Sequence, residues 1–116
     1  MDAPQVIAWE EQEFVEVRPG VFGATVHTAQ LTASLYRYGP GSSWEEHRHP
    51  EDQITTVLEG AIDFLVGDRP VHLTNGQLAT LPGGTPDSAM VPAPGAVTLN
   101  VFTLNVFTHR DTPPRV

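Results

Sequence analysis

Glycine and proline interrupt this chain so often that a helical fold is excluded before any other property is read. Ten glycines and eleven prolines are spread over 116 residues, and proline breaks helices while both residues mark turns. Between them lie short runs rich in Val, Thr, Leu and Phe, at 21–29, 31–38, 53–58, 61–66, 71–73, 77–81 and 97–108. No window holds a helical period. Short strands recurring at roughly 8–12-residue spacing predict an all-β sandwich or barrel. Turns are expected at GPGS (39–42), EG (59–60), GDRP (67–70), NG (75–76), PGG (82–84) and PAPG (92–95). No linker composition intervenes, so a single domain is expected over residues 1–116. Residues 6–9 and 14–17 read as edge strands or a lid segment.

Charge and composition narrow the function. The formal charge of −8 argues against nucleic acid and anionic membranes as partners, because both need basic patches. There is no cysteine, so thiolate chemistry and disulfides are excluded, and the redox compartment stays undetermined. All six basic residues are arginine, which excludes Schiff-base and lysine-base mechanisms. The start, MDAPQVIAWEEQ, lacks the apolar stretch of a secretory signal, and no apolar run is long enough to span a membrane. A cytoplasmic protein is the expectation.

The stretch TLNVFTLNVF at 98–107 is a tandem copy of five residues. An odd repeat cannot present one face of a regular strand twice, so Leu99 and Leu104 would point to opposite sides. A long last strand buried on both faces, a bulge that restores parity and a slipped duplication all remain open. An over-long last strand reaching an edge or a partner subunit is the favoured reading.

The stretch EEHRHPEDQ at 45–53 concentrates the ligating groups. His47 and His49 are two apart, so in a strand both imidazoles share a face, while Glu46 and Arg48 point away. Gln53 keeps that parity across a bend at Pro50. Two neutral imidazoles on one face can ligate a divalent metal. The competing reading is a polar loop with two solvated histidines, and the His-x-His spacing alone does not decide.

The flanking residues add to this. GSSWEEHRHPEDQITTVLEG, from Gly41 to Gly60, resembles the first cupin motif, G-x5-H-x-H-x3,4-E-x6-G, with Gln53 where that family usually has Glu. GQLATLPGGTPDSAMV, from Gly76, is similar to the second motif, with Pro82 and Gly84 in place, Asp87 at the position of the last histidine ligand and Val91 at the Asn position. The resemblance covers roughly residues 20 to 110. It implies a cupin-type jelly-roll β-barrel (a double-stranded β-helix) of the RmlC-like kind, with the metal inside it. The ligands it implies are His47, His49, Gln53 and Asp87, and the cofactor a divalent transition metal: Fe, Mn, Ni, Zn or Cu. HPEDQITTVLEG and VTLNVFTHRD also resemble small cupins that act on unsaturated uronates and polyketide-cyclase-like cupins. In those relatives the last strand carries an acid facing the pocket; Asn100, or its duplicate Asn105, stands near that place here as the catalytic candidate. Asp87 has two readings. It completes a two-histidine, one-carboxylate set that suits non-haem Fe(II), or it falls short of the metal and serves as general base, substrate partner or turn cap.

Other residues read as structural. His27 is expected to be partly exposed or satisfied in the core, with a place in the pocket held in reserve. His72 is expected to face out, and His109 to lie at the surface. Glu45, Glu46, Glu51 and Asp52 read as solvated loop charges, one of which could support a histidine from behind. Tyr36 and Tyr38 share a face and read as packing residues that could offer phenol donors; Arg37 faces the other way. The leading functional reading is a metal-dependent cupin enzyme acting on a small oxygenated substrate: a carbonyl or enol compound, a sugar acid or a polyketide-like molecule. Its reaction would be isomerisation, ring opening, cyclisation, lyase chemistry or Fe(II) dioxygenation. The alternatives are a ligand-binding or sensor cupin without turnover and a structural dimerisation domain. The resemblance also implies a homodimer.

Overall fold

The computed structural model describes residues 3–103, and they fold as nine strands with one short 3-10 turn at Trp9–Glu11. The strands are β1 (Val15–Arg18), β2 (Val21–His27), β3 (Leu31–Tyr38), β4 (Ser43–His47), β5 (Gln53–Val66), β6 (Arg69–Thr74), β7 (Leu78–Leu81), β8 (Asp87–Met90) and β9 (Ala96–Thr103). All strand pairs are antiparallel. The order β1-β2-β3-β9-β5-β8-β4 curls into a barrel-like jelly roll, with β6 and β7 each pairing with β5. The all-β expectation and the jelly-roll class hold.

Strand β5 joins the two sheets. Its first half pairs with β9 and β7, its second half with β6 and β8. Gln53, Thr55 and Val57 face inward in the first half, Ile62 and Phe64 in the second. That change of parity needs one extra residue, and the register against β9 slips between Val57 and Glu59 to supply it. Gly60 makes the bend with φ +80°, and a Cβ there would lie 2.0 Å from the Gly95 carbonyl oxygen. The EG pair at 59–60, expected to be a turn between two strands, is therefore a bend within one.

Strand β9 alternates along its length: Ala96, Thr98, Asn100 and Phe102 are buried, and Val97, Leu99 and Val101 are half-buried. The first copy of TLNVF thus lies inside the fold, between β3 and β5. Of the second copy only Thr103 is described; Leu104, Asn105 and Phe107 lie outside the described residues, as does His109. Between the sheets sits a core that includes Val21, Tyr36, Trp44, Val57, Ile62, Phe64 and Leu81.

Near the N-terminus, Val15–Arg18 is an edge strand on β2. Residues 6–9 form no strand; Trp9 opens the 3-10 turn. Among the described residues no helix is long and apolar enough to cross a membrane. Two strands were not expected from pattern, β4 and β8, and they carry His47 and Asp87.

Candidate metal centre

Strands β4 and β8 are neighbours, and His47 is the direct cross-strand partner of Asp87. Beyond His47 the chain leaves the sheet, runs through Arg48, His49 and Pro50, and re-enters at Gln53 in β5. The PGG turn holds this connection. Gly84 N–H donates to the His49 carbonyl at 2.7 Å, and Gly83 N–H donates to Asp52 Oδ1 at 2.8 Å. A Cβ on Gly83 would lie 2.1 Å from the Pro50 carbonyl oxygen, so only glycine allows this approach. Asp52 also exchanges backbone contacts with Thr103: its N–H donates to Thr103 Oγ1, and Thr103 N–H donates to its carbonyl, each at 3.2 Å. Asp52 is exposed as expected, yet it ties the loop to the turn and to β9.

His47, His49 and Asp87 bring one ligating atom each within 4.8 Å of one another. The two imidazole side chains are 8% exposed and Asp87 is 3% exposed. His47 Nδ1 lies 3.0 Å from the Glu45 carbonyl oxygen, and His49 Nδ1 lies 3.0 Å from the Glu51 carbonyl oxygen. A carbonyl only accepts, so in both rings Nδ1 carries the proton and donates. In a neutral ring of that tautomer the Nε2 lone pair turns towards Asp87: His47 Nε2 is 3.6 Å from Oδ1 and His49 Nε2 is 3.7 Å from Oδ2. Gln53 Oε1 is 3.1 Å from His49 Nε2.

Four electron-pair donors therefore converge, and Asp87 Oδ1 is buried without a hydrogen-bond partner among the described residues. Such a convergence is stabilised by a cation, either an imidazolium proton or a metal ion. The two Asp87 distances fit the metal, while the 3.1 Å from His49 Nε2 to Gln53 Oε1 fits a hydrogen bond as well. Distances of 3.6 and 3.7 Å are long for hydrogen bonds. Two atoms each about 2.1 Å from a shared ion sit about 3.0–3.5 Å apart, close to that spacing. Nδ1–H donation to a backbone carbonyl is also how ligating histidines are usually oriented. The donor set of two imidazoles, one carboxylate and one amide oxygen suits a borderline divalent transition ion. Burial is the main influence on Asp87 and pushes its carboxyl up to about 6, with His49 pulling the other way.

The remaining residues sort around this point. Glu51 is not a solvated loop charge: it is 2% exposed, with Oε1 3.6 Å from His49 Nδ1, so it stands behind the imidazole. The loop turns at Pro50 and points residue 51 inward, which no periodicity in the sequence marks. Asn100 is fully buried, and its amide is spent on Gln53, Thr55, Thr98 and Ser34. Trp44, Tyr36 and Phe102 wall the site: Trp44 and His47 rings are 6.2 Å apart, Tyr36 meets Trp44 edge-on at 5.4 Å, and Phe102 meets His49 edge-on at 5.8 Å. Burial raises the Tyr36 and Tyr38 phenols above their ordinary value, so both stay neutral. Arg37 faces outward over the Phe14 ring. His27 is exposed at the sheet edge against Thr32, away from the pocket it was held in reserve for. His72 faces out and pairs with Asp63.

Comparisons with known proteins agree with this architecture. A family profile described as the cupin domain matches residues 34–89. The structure is similar to that of KdgF from a Halomonas species, with TM-score 0.83 and 22% identity over 90% of this chain and 97% of that one. It is similar to an RmlC-like cupin from Shewanella frigidimarina, with TM-score 0.81 and 20% identity over 90% and 95% of the two chains. It also matches oxalate decarboxylase of Bacillus subtilis, a protein with Mn(II) centres, with TM-score 0.77 and 21% identity; 92% of this chain covers 32% of that one. No curated protein matches the chain.

Proposed function

We propose, from the premise that this chain carries a cupin domain on an RmlC-like barrel, that it works as a metal-dependent enzyme on a small oxygenated substrate. The ligands would be His47, His49, Gln53 and Asp87. The observation that carries the reading is the pair of Nδ1 atoms tied to the Glu45 and Glu51 carbonyls, which leaves both Nε2 lone pairs facing the Asp87 carboxylate. A divalent ion held there supplies Lewis acidity for a carbonyl or enolate oxygen.

The chain's own residues would do the rest. His47 and His49 hold the ion in one tautomer, and Gln53 offers a neutral oxygen. Asp87 supplies the negative charge, and an oxygen it does not commit to the metal is the best-placed proton acceptor. Trp44, Tyr36 and Phe102 exclude water from one side. The reaction class that fits is proton transfer at carbon next to a carbonyl: isomerisation, ring opening, cyclisation or lyase chemistry on a carbonyl, sugar-acid or polyketide-like compound. Fe(II) dioxygenation is the redox variant of the same donor set.

A second reading, a cupin that binds its ligand without turnover, is favoured by Asn100. The acid that such relatives carry on the last strand is an amide here, and its groups are spent inside the protein. A homodimer is proposed as well, supported by Leu31, Ile54, Leu58 and Leu78, which are exposed apolar side chains of one sheet; sedimentation tests it. The test of the metal reading is elemental analysis of purified protein combined with anomalous diffraction at the site. An ion touching both imidazoles supports it, and metal-free protein that still turns over substrate refutes it.

A further inference from the structure

The buried face of β9 and β5 carries a run of hydrogen bonds whose direction is fixed at one end. Asn100 Nδ2 lies 3.3 Å from the Ser34 carbonyl oxygen, 3.4 Å from the Thr98 carbonyl oxygen and 2.9 Å from Thr98 Oγ1. Backbone carbonyls can only accept, so this end of the Asn100 amide is the NH2 group. Its Oδ1 is therefore an acceptor, and it receives the Thr55 hydroxyl proton at 2.8 Å. A hydroxyl has one proton, so Thr55 Oγ1 can only accept from its other neighbour, Gln53 Nε2, at 2.7 Å. Gln53 Nε2 also faces Asn100 Oδ1 at 3.4 Å. Each step removes one choice from the next. The last choice removed is the orientation of the Gln53 amide, which must turn Oε1 towards His49 Nε2.

We propose that Thr55 and Asn100 are positioning residues that lock the Gln53 amide so that its oxygen, and not its NH2 group, faces the metal centre. Without them the amide is free to rotate by half a turn. The flipped amide would place two N–H donors where a cation needs an electron pair. The two carboxamide ends have nearly the same shape, so packing alone does not choose between them; the hydrogen-bond direction does. Gln53, Thr55 and Asn100 are each 1% exposed or less, so water does not compete for these bonds. The inference rests on the metal reading for its consequence, but the direction of the amide is a property of the metal-free protein.

The test uses isotope-labelled, metal-free full-length protein with Thr55→Val, Thr55→Ser and Asn100→Leu. Valine keeps the shape of threonine and loses the hydroxyl; serine keeps the hydroxyl and loses the methyl. Nuclear Overhauser contacts of the Gln53 side-chain NH2 protons report the orientation directly. Co(II) titration followed by visible absorption reports the consequence. The lock predicts that the wild-type NH2 protons contact residue 55, that Thr55→Ser preserves this, and that in Thr55→Val, where Asn100 Oδ1 at 3.4 Å still accepts from them, contacts to the His49 ring appear that wild type lacks. Co(II) affinity should fall roughly tenfold or more in Thr55→Val and stay near wild type in Thr55→Ser. A packing role predicts the reverse order, with serine the damaging change, and that order would overturn the proposal. Asn100→Leu leaves the Thr55 hydroxyl free either to accept from Gln53 Nε2 or to donate to Gln53 Oε1, so mixed contacts are expected; it decides the question if Thr55→Val does not fold. If wild-type protein takes up no Co(II), the metal reading fails, and the amide contacts alone still decide for or against the lock.

Discussion

His47 and Asp87 are direct partners across the β4–β8 ladder, with His47 Nε2 3.6 Å from Asp87 Oδ1. Ladder register therefore delivers two of the proposed ligands to one point, and the PGG turn delivers the third by holding the His49 loop.

Metal uptake should depend on pH through Asp87. Its carboxyl is pushed up to about 6 by burial, and a proton there competes with a metal ion. Affinity measured by isothermal titration should fall as pH drops through about 6, with Asp87 alone contributing up to about tenfold per pH unit and the two imidazoles adding their own proton competition. Asp87→Asn should bind weakly at every pH and keep only the dependence that proton competition at the two imidazoles imposes.

The metal-free protein should show the opposite trend in stability. The folded-state value of Asp87 lies above its ordinary value of 3.8, so between the two the folded chain holds more protons than the unfolded chain. The contribution of Asp87 to stability is then greatest below the ordinary value and declines as pH rises through about 6. The loss is at most about 3 kcal/mol, from roughly 1.4 kcal/mol per pKa unit. Denaturant melts of wild type and Asp87→Asn should diverge over this interval, and a saturating divalent ion should cancel the decline.

Two neighbouring glycines should respond differently to alanine. In Gly83→Ala the new methyl would meet the Pro50 carbonyl at 2.1 Å, so the His49 loop must move. We expect a loss of about 1–3 kcal/mol in stability and a clear drop in metal affinity. In Gly84→Ala nothing lies within 4 Å, and only the positive φ of +80° is strained. That variant should lose about 1 kcal/mol and bind metal nearly as wild type.

Glu51→Gln should weaken metal binding roughly tenfold through the imidazole it backs, while far-ultraviolet circular dichroism stays unchanged. His72→Ala removes an exposed pair with Asp63 on the outer face. It should leave metal uptake untouched and move stability by less than about 0.5 kcal/mol.

Much of this fold is legible in the chain because apolar alternation marks it. Ala96 to Phe102 and Leu31 to Tyr38 alternate as strands between covered faces do, and the Gly-Pro punctuation gives most turns. SWEEH and DSAM are not legible as strands, because their inward positions include the polar His47 and Asp87, which erase the alternation. The strands that carry the site are thus hidden by the site. Gly60 reads as a turn because glycine marks turns, yet β5 continues through it with a bulge. Glu51 is hidden for another reason: Pro50 ends the period, so nothing in the sequence says that the next carboxylate turns inward. The role of Asn100 is legible only as a position near the pocket; its direction-setting bonds come from β3, β5 and β9 together.

His47, His49, Gln53 and Asp87 are proposed to hold one divalent ion. The most direct test is metal content after reconstitution and desalting, measured on wild type and His49→Ala by plasma mass spectrometry. About one equivalent is expected in wild type and roughly a tenth of that or less in His49→Ala. Equal metal content in the two proteins would contradict that assignment.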